Sequence, residues 1–239
     1  MHKPRTFACI FARGGSKGIP RKNLAKLHGR SLLAWAIERA RSVPAISRVF
    51  VSTDDDEIAA EAVAQGAEVP FLRPAELAGD HSSEHLAWKH AVRELTDREG
   101  RFDVLVSLPT TSPLRSRGDV EKCIAMLLKY PDTDVVLTVQ QASRNPYYNM
   151  VVLDADNIAR IVIDGVPAAA TRQAVPAVYD VTTAAYAIRP DFVLKSESLF
   201  VGRVRAVEIP RVRAIDIDNP LDLEWVEYLV KRGHPDLHL

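Results

Sequence analysis

The sequence has no surplus of charge of either sign: Lys and Arg number 31, Asp and Glu 31, and the formal net charge is +0. That balance excludes the broad basic footprint of a nucleic-acid-binding protein, though not a local basic pocket. Cysteine is scarce as well. Cys9 and Cys123 cannot build a disulfide framework, and they suit a reducing compartment. No apolar run approaches the roughly 18 residues of a membrane span, and the N-terminus lacks the apolar core of a secretory signal. The expectation is a cytoplasmic protein with neither a membrane nor a nucleic-acid partner. What is present is ordinary globular material: 47% hydrophobic and 26% charged residues over 239 positions argue against disorder. A chain of that length buries roughly 70–75% of its unfolded surface and needs no disulfide or metal to hold its core.

Short apolar runs alternate with helical patterns through the first half. Thr6–Ala12, Arg48–Ser52, Ala67–Leu72, Asp103–Leu108 and Asp134–Val139 read as strands. Ser31–Ser42, Asp55–Gln65, His81–Leu95 and Asp119–Lys129 read as helices. Strands alternating with helices predict a mostly parallel α/β sheet with helices on both faces. Ligands of such sheets sit beyond the C-terminal ends of the strands. Near residue 140 the pattern turns β-rich. Tyr148–Leu153, Ile158–Ile163 and Val178–Ile188 are strand candidates, and Asp164-Gly165 is a hairpin signal. Ala206–Ile209 and Ala214–Ile217 return to strand character, and Asn219–Lys231 closes the chain as a helix with Pro220 at its first position. The division is 1–140 plus 186–239 as the α/β domain and 141–185 as a β-rich extension.

The loop after the first strand holds the densest signal. Arg13-Gly14-Gly15-Ser16-Lys17-Gly18 continues through Arg21, Lys22 and Asn23. Three glycines permit close backbone approach and an amide nest for anions. Four cations within ten residues, Arg13, Lys17, Arg21 and Lys22, favour a polyphosphate. The spacing is neither a Walker A loop nor a dinucleotide fingerprint. From composition alone a solvated basic turn is the alternative. Asp216 and Asp218, read as i and i+2 on a strand, would share a face and suit Mg²⁺, or would simply be an exposed strand face.

Other signals are weaker. His81-Ser82-Ser83-Glu84-His85 spells a zinc-protease pattern but has no identified third ligand. Cys9 and Cys123 read as packing residues rather than nucleophiles. The run Asp54-Asp55-Asp56-Glu57 suits the first turn of a helix, although Asp54 ends a strand at the ligand edge. Trp35, Trp88 and Trp225 fall in helical patterns and are expected in the core.

The glycine loop closely resembles the A-R-x-x-S-K-G-[IL]-P-x-K-N-L signature of the acylneuraminate cytidylyltransferases. The likeness continues in order through Val51-Ser52-Thr53-Asp54, Leu72-Arg73-Pro74-Ala75-Glu76-Leu77-Ala78-Gly79-Asp80, Thr111-Ser112-Pro113-Leu114-Arg115 and Ile215-Asp216-Ile217-Asp218. The resemblance implies a Rossmann-like domain with a small extension that exchanges across a homodimer. It also implies transfer of CMP from CTP to the anomeric hydroxyl of a sialic-acid-like 2-keto-3-deoxy sugar acid, releasing pyrophosphate. By position, Arg13, Gly14, Gly15, Ser16, Lys17, Lys22 and Asn23 would hold the triphosphate. Arg73 and Ser82 would line the base site, and Asp216 and Asp218 would hold Mg²⁺. Arg13, Lys17 and Asp216 would be catalytic.

The sequence departs from the family pattern in the acceptor half. Pro109 stands where the family has glutamine. Tyr148 replaces a lysine, Asp180 an arginine, and Thr182-Thr183 an Asn-Gly pair. Arg172-Gln173 keeps the family's pair. The acceptor candidates are therefore Arg172, Gln173, Tyr148, Asp180 and Thr182. Exchanging cations for an acid predicts an acceptor other than N-acetylneuraminate. It would be a legionaminate-, pseudaminate- or Kdo-like acid, or another bearing an amino group. A nucleotide-binding protein without catalysis is the alternative from another class.

Overall fold

Apolar side chains of the first strand alternate between two cores, and that alternation organises the fold. The computed structural model describes residues 3–79, 82–164 and 174–237. Strand β1 (Thr6–Phe11) is followed by a small ribbon of β2 (Lys26–Leu27) and β3 (Arg30–Ser31). His28 and Gly29 turn that ribbon with φ of 51° and 78°, the left-handed pair a two-residue hairpin requires. Helix α1 (Leu32–Arg41), strand β4 (Arg48–Ser52), helices α2 (Asp56–Ala64) and α3 (Glu84–Glu99), strand β5 (Val104–Ser107) and helix α4 (Arg117–Lys129) come next. Strands β6 (Val135–Gln141), β7 (Val151–Leu153), β8 (Ala159–Ile161) and β9 (Tyr179–Ile188) follow. Helix α5 (Pro190–Lys195), strand β10 (Val204–Glu208) and helix α6 (Pro220–Arg232) complete the chain.

Six strands form the main sheet in the order β10-β6-β9-β5-β1-β4. Neighbours run parallel except at β9, which is antiparallel to both β5 and β6. Ala8 and Ile10 face α1, α2 and α4 through Leu33, Ile37, Ile58, Cys123 and Leu127. Phe7 and Cys9 face α3 and α5 through Trp88, Val92, Leu95 and Val193. The sheet is thus covered on both faces, as the alternating pattern predicts. A third cluster, including Ile19, Leu27, Ile217, Val226 and Leu229, fixes the glycine loop and the 217 region against α6. Local chemistry sets the helix starts. Ser31 Oγ accepts from Ala34 N at 3.1 Å, Asp55 Oδ1 from Ile58 N at 2.9 Å, and Asn219 Oδ1 from Asp222 N at 3.1 Å.

Several expectations need correction. Residues 67–72 form no strand; one isolated bridge, Phe50 to Glu68, is their pairing. Residues 214–217 are not a strand either, but irregular chain after a 3₁₀ turn at Arg211–Arg213. The hairpin of the β-rich segment closes between β7 and β8, through Asp154 and left-handed Asn157 (φ 62°). Asp164 ends that described stretch, and Gly165 lies outside the described residues. A boundary at 185/186 falls inside β9, whose ten residues belong to the main sheet. Trp88 is buried, but Trp225 is half exposed and stacks on Tyr228 at 5.5 Å. Cys9 and Cys123 are both buried, and burial pushes each thiol up to about 12, the behaviour of packing residues. Among the described residues no helix is long and apolar enough to cross a membrane.

Candidate functional site

The parallel strands β1, β4 and β5 end at the same sheet edge, and their loops build the site. Asn23 braces the glycine loop: its Nδ2 donates to Arg13 O at 2.8 Å, and its Oδ1 accepts from Thr110 Oγ1 at 2.5 Å. Gly14 N donates to Asp54 Oδ1 at 3.0 Å, so Asp54 holds the loop from the end of β4. Gly14 has no room for a side chain, since a Cβ would stand 2.7 Å from Asp55 Oδ2; Gly15 has nothing within 4 Å.

The four cations of the loop do different work. Arg21, left-handed at φ 54°, pairs with Asp55 and Glu57 in the first turn of α2. Its hydrogen bonds to Asp55 hold that carboxyl below the usual range. Arg21 is therefore a brace rather than a phosphate ligand, a correction to its count among the phosphate-seeking cations. Lys22 Nζ donates to Ile217 O at 2.9 Å and lies 3.2 Å from Asp218 Oδ1, joining the loop to the 216–218 stretch. Arg13 Nη1 donates to Ala78 O at 3.3 Å across the mouth. Arg13 and Lys17 both line the cavity that results.

That cavity has a volume of about 440 Å³, and Ser16, Lys22, Asn23, Arg73, Ser82 and Asp218 also line it. Gly14 and Gly15 are not among its lining residues, whereas Gly18 is. Arg73 is buried; its Nε donates to Ser52 Oγ at 3.2 Å, its Nη2 donates to Ser52 O, and its guanidinium lies 5.8 Å from the Phe11 ring. Ser82 Oγ is buried there without a hydrogen-bond partner. Glu84, at the start of α3, borders the same space. Water reaches Glu84, yet the protein around its carboxyl raises the pKa, and the Asp216 charge adds to the rise. Pro109, the departure from glutamine, is on this wall too, and fully buried Arg115 donates to its carbonyl.

A second cavity of about 370 Å³ is lined by Gln140, Asp180, Thr182, Thr183, Arg211 and Asp216, among others. The antiparallel course of β9 creates it, because Asp180 at the start of β9 lies opposite Gln140 at the end of β6. Two acceptor candidates, Asp180 and Thr182, come together here. Thr182 donates its hydroxyl to Thr138 Oγ1 at 2.7 Å and is buried. Tyr148 lines neither cavity; it is an exposed residue ahead of β7. Arg172 and Gln173 lie outside the described residues.

Asp216 and Asp218 do not share a strand face. Ile217 N donates to Thr111 O at 2.8 Å, which fixes the peptide between them. Asp216 lines the smaller cavity and Asp218 the larger, so this stretch borders both. Asp216 Oδ1 is buried and unpartnered. Of the zinc pattern, His81 lies outside the described residues, and His85 Nε2 sits 2.8 Å from Ser196 O.

Gln140, Arg211, Asp54 and Glu84 are site residues that the sequence reading did not pick as ligands. Arg211, in the Pro210-Arg211-Val212-Arg213 run just upstream of Asp216, offered a readable signal. Gln140 offered none until β9 was placed beside it.

Residues 7–200 match the family described as Cytidylyltransferase. The chain is 32% identical over 223 residues to the "Post-translational flagellin modification protein B" of Campylobacter coli, covering 93% of each sequence. It is also 32% identical over 222 residues to the "CMP-N,N'-diacetyllegionaminic acid synthase" of Campylobacter jejuni, covering 92% of this chain and 93% of that protein. A solved CMP:2-keto-3-deoxy-manno-octonic acid synthetase complexed with CTP has the same fold, with a TM-score of 0.71 at 22% identity, covering 96% of this chain and 99% of that one. A site built on the loop of β1, and a sequence match that spans most of the chain, have one reading: the protein belongs to the cytidylyltransferase family.

Proposed function

We propose that the protein transfers CMP from CTP to the anomeric hydroxyl of a sialic-acid-like 2-keto-3-deoxy sugar acid, releasing pyrophosphate. The observation that carries this is two cavities at one sheet edge, both bordered by the 216–218 stretch. The larger is cationic and walled by a glycine loop, as a triphosphate requires; the smaller offers both charges to a polar acceptor. The relative named for a CMP-sugar-acid synthase supports the substrate classes.

In the reaction the acceptor oxygen bonds to the α-phosphorus while the bond from that phosphorus to the bridging β-phosphate oxygen breaks. Pyrophosphate departs with the electron pair, and the hydroxyl proton passes to solvent water. Positioning and charge neutralisation do most of the work in such transfers. Arg13 and Lys17 neutralise phosphate oxygens, Gly18 lets the loop pack against the Asp218 carbonyl, and Arg73 and Ser82 line the base end. Asp216 and Asp218 would hold Mg²⁺. Their hard oxygens fit it, with Asp216 Oδ1 buried and unpartnered. Among the described residues no group of three or more His, Cys, Asp or Glu could hold a metal ion, so phosphate and water would have to complete the shell. Bound Mg²⁺ supplies Lewis-acid neutralisation of the phosphate oxygens.

The test is pyrophosphate release with CTP, Mg²⁺ and a panel of N-acetylneuraminate, Kdo, legionaminate- and pseudaminate-type acids. Release should depend on the acceptor and fall by about 10²-fold or more in Asp216→Asn, the scale of losing one charge-stabilising group. CTP binding with no release from any acid would sink the reading.

The working form is a cytoplasmic homodimer in this reading. Val151, Val152, Leu153, Ile158 and Tyr179 are exposed on and beside the β7–β8 hairpin, an apolar surface suited to a second copy. Val152→Glu with Leu153→Glu should convert a dimeric mass in light scattering to a monomeric one. A wild-type protein that is monomeric at micromolar concentration would contradict the dimer.

A further inference from the structure

The smaller cavity presents opposite charges with no ion-pair partner among the described residues. The Arg211 guanidinium has no hydrogen-bond or ion-pair partner among the described residues. Asp180 is exposed to the cavity and accepts one hydrogen bond, from Gln140 Nε2 to its Oδ2 at 3.2 Å, with no cation beside it. That bond orients the Gln140 amide, and Gln140 Oε1 is left buried with no partner. Thr182 has already given its hydroxyl proton to Thr138. The Asp180–Gln140 side is therefore rich in acceptors and short of donors, while Arg211 is a bidentate donor for a carboxylate. Asp216 is the other charged group of this cavity, and the proposed reaction assigns it to the metal.

From this arrangement we infer that the acceptor is a zwitterionic sugar acid. Its carboxylate pairs with Arg211, and a protonated nitrogen, a free amine or an amidine, donates to Asp180 and to Gln140 Oε1. The inference rests on the cytidylyltransferase reading and narrows its substrate class. An N-acetyl group fits this wall poorly. Its amide has one N–H for two waiting acceptors, and its carbonyl would face the Asp180 carboxylate.

The experiment compares pairs of nonulosonate acids that differ at one nitrogen, free amine against N-acetyl, by pyrophosphate release with CTP. The amine should be preferred in kcat/KM by about tenfold or more near neutral pH, the scale of one charge-assisted hydrogen bond. The preference should fade as pH rises through the amine's own pKa. Asp180→Asn, at an exposed position, should bring the pair within about twofold, chiefly by raising KM for the amine. Arg211→Met should raise KM for both members alike. Turnover of both members without preference, or a preference untouched by Asp180→Asn and by pH, overturns the inference and leaves the cytidylyltransferase reading standing. No turnover with any acid overturns both.

Discussion

Gly18→Ala is expected to lower kcat/KM for CTP by about 10²-fold, the cost of misplacing reacting groups by an ångström. A Cβ at position 18 would stand 2.0 Å from the Asp218 carbonyl oxygen and 3.2 Å from its carbon. Those are backbone atoms, and they have little freedom to retreat. Ile217 N is bonded to Thr111 O at 2.8 Å, Asp218 N to Asp222 Oδ2 at 2.9 Å, and Ile217 O to Lys22 Nζ at 2.9 Å. The glycine loop must therefore move, carrying Lys17 and Arg13 away from their places in the cavity. Overpacking of this kind costs about 1–3 kcal/mol, or a few degrees in Tm for a chain this long. Gly15→Ala is the stability control, because nothing lies within 4 Å of its Cβ position. Its Tm should match the unmutated protein. Unchanged CTP kinetics and Tm in Gly18→Ala would mean that the loop and the 218 carbonyl do not touch.

The close contact of Gly18 with Asp218 joins positions two hundred residues apart, and the spacing of the sequence carries no sign of it. The glycine loop and the helix starts at Ser31, Asp55 and Asn219 are local chemistry, and they stand where the spacing puts them. Arg21 shows where such reading stops. It belongs by composition to a phosphate-seeking loop, but its partners are Asp55 and Glu57, more than thirty positions along the chain. Residues 214–217 alternate like a strand, yet no strand pairs with them. Ile217 is instead drawn into the cluster with Ile19, Leu27 and Val226, and the peptide bonds to a loop carbonyl. The acceptor cavity was the least legible. Its existence depends on β9 entering the sheet antiparallel between β5 and β6, and strand order is a long-range property. Asp180 and Thr182 were found through a departure from a family pattern; Gln140, their neighbour across the strands, carries no local mark.

A second large effect is expected beneath that cavity. Arg213→Met should lower the unfolding free energy by about 3–5 kcal/mol, since it strands a buried carboxylate. Asp119 and Arg213 are both buried and face each other bidentately, Nε to Oδ2 at 2.9 Å and Nη2 to Oδ1 at 3.0 Å. Asp119 also accepts from Ser116 N at 2.8 Å in the capping box of α4. The pair thereby ties the start of α4 to the 3₁₀ turn Arg211–Arg213, from which Arg211 and Asp216 reach the acceptor cavity. Asp119→Asn alone leaves Arg213 charged and half-satisfied, and it should cost a comparable amount. Combining the two changes removes both buried charges while the asparagine oxygen can still accept from Ser116, so much of the loss should return. Urea unfolding measures this directly, as midpoints that shift at constant m-value. Strictly additive losses in the double variant would show that the two side chains do not interact. With coupling established, the acceptor KM of the double variant asks the functional question. Arg213 belongs to the same turn as Arg211, so KM should stay raised after stability has returned if the pair places that turn.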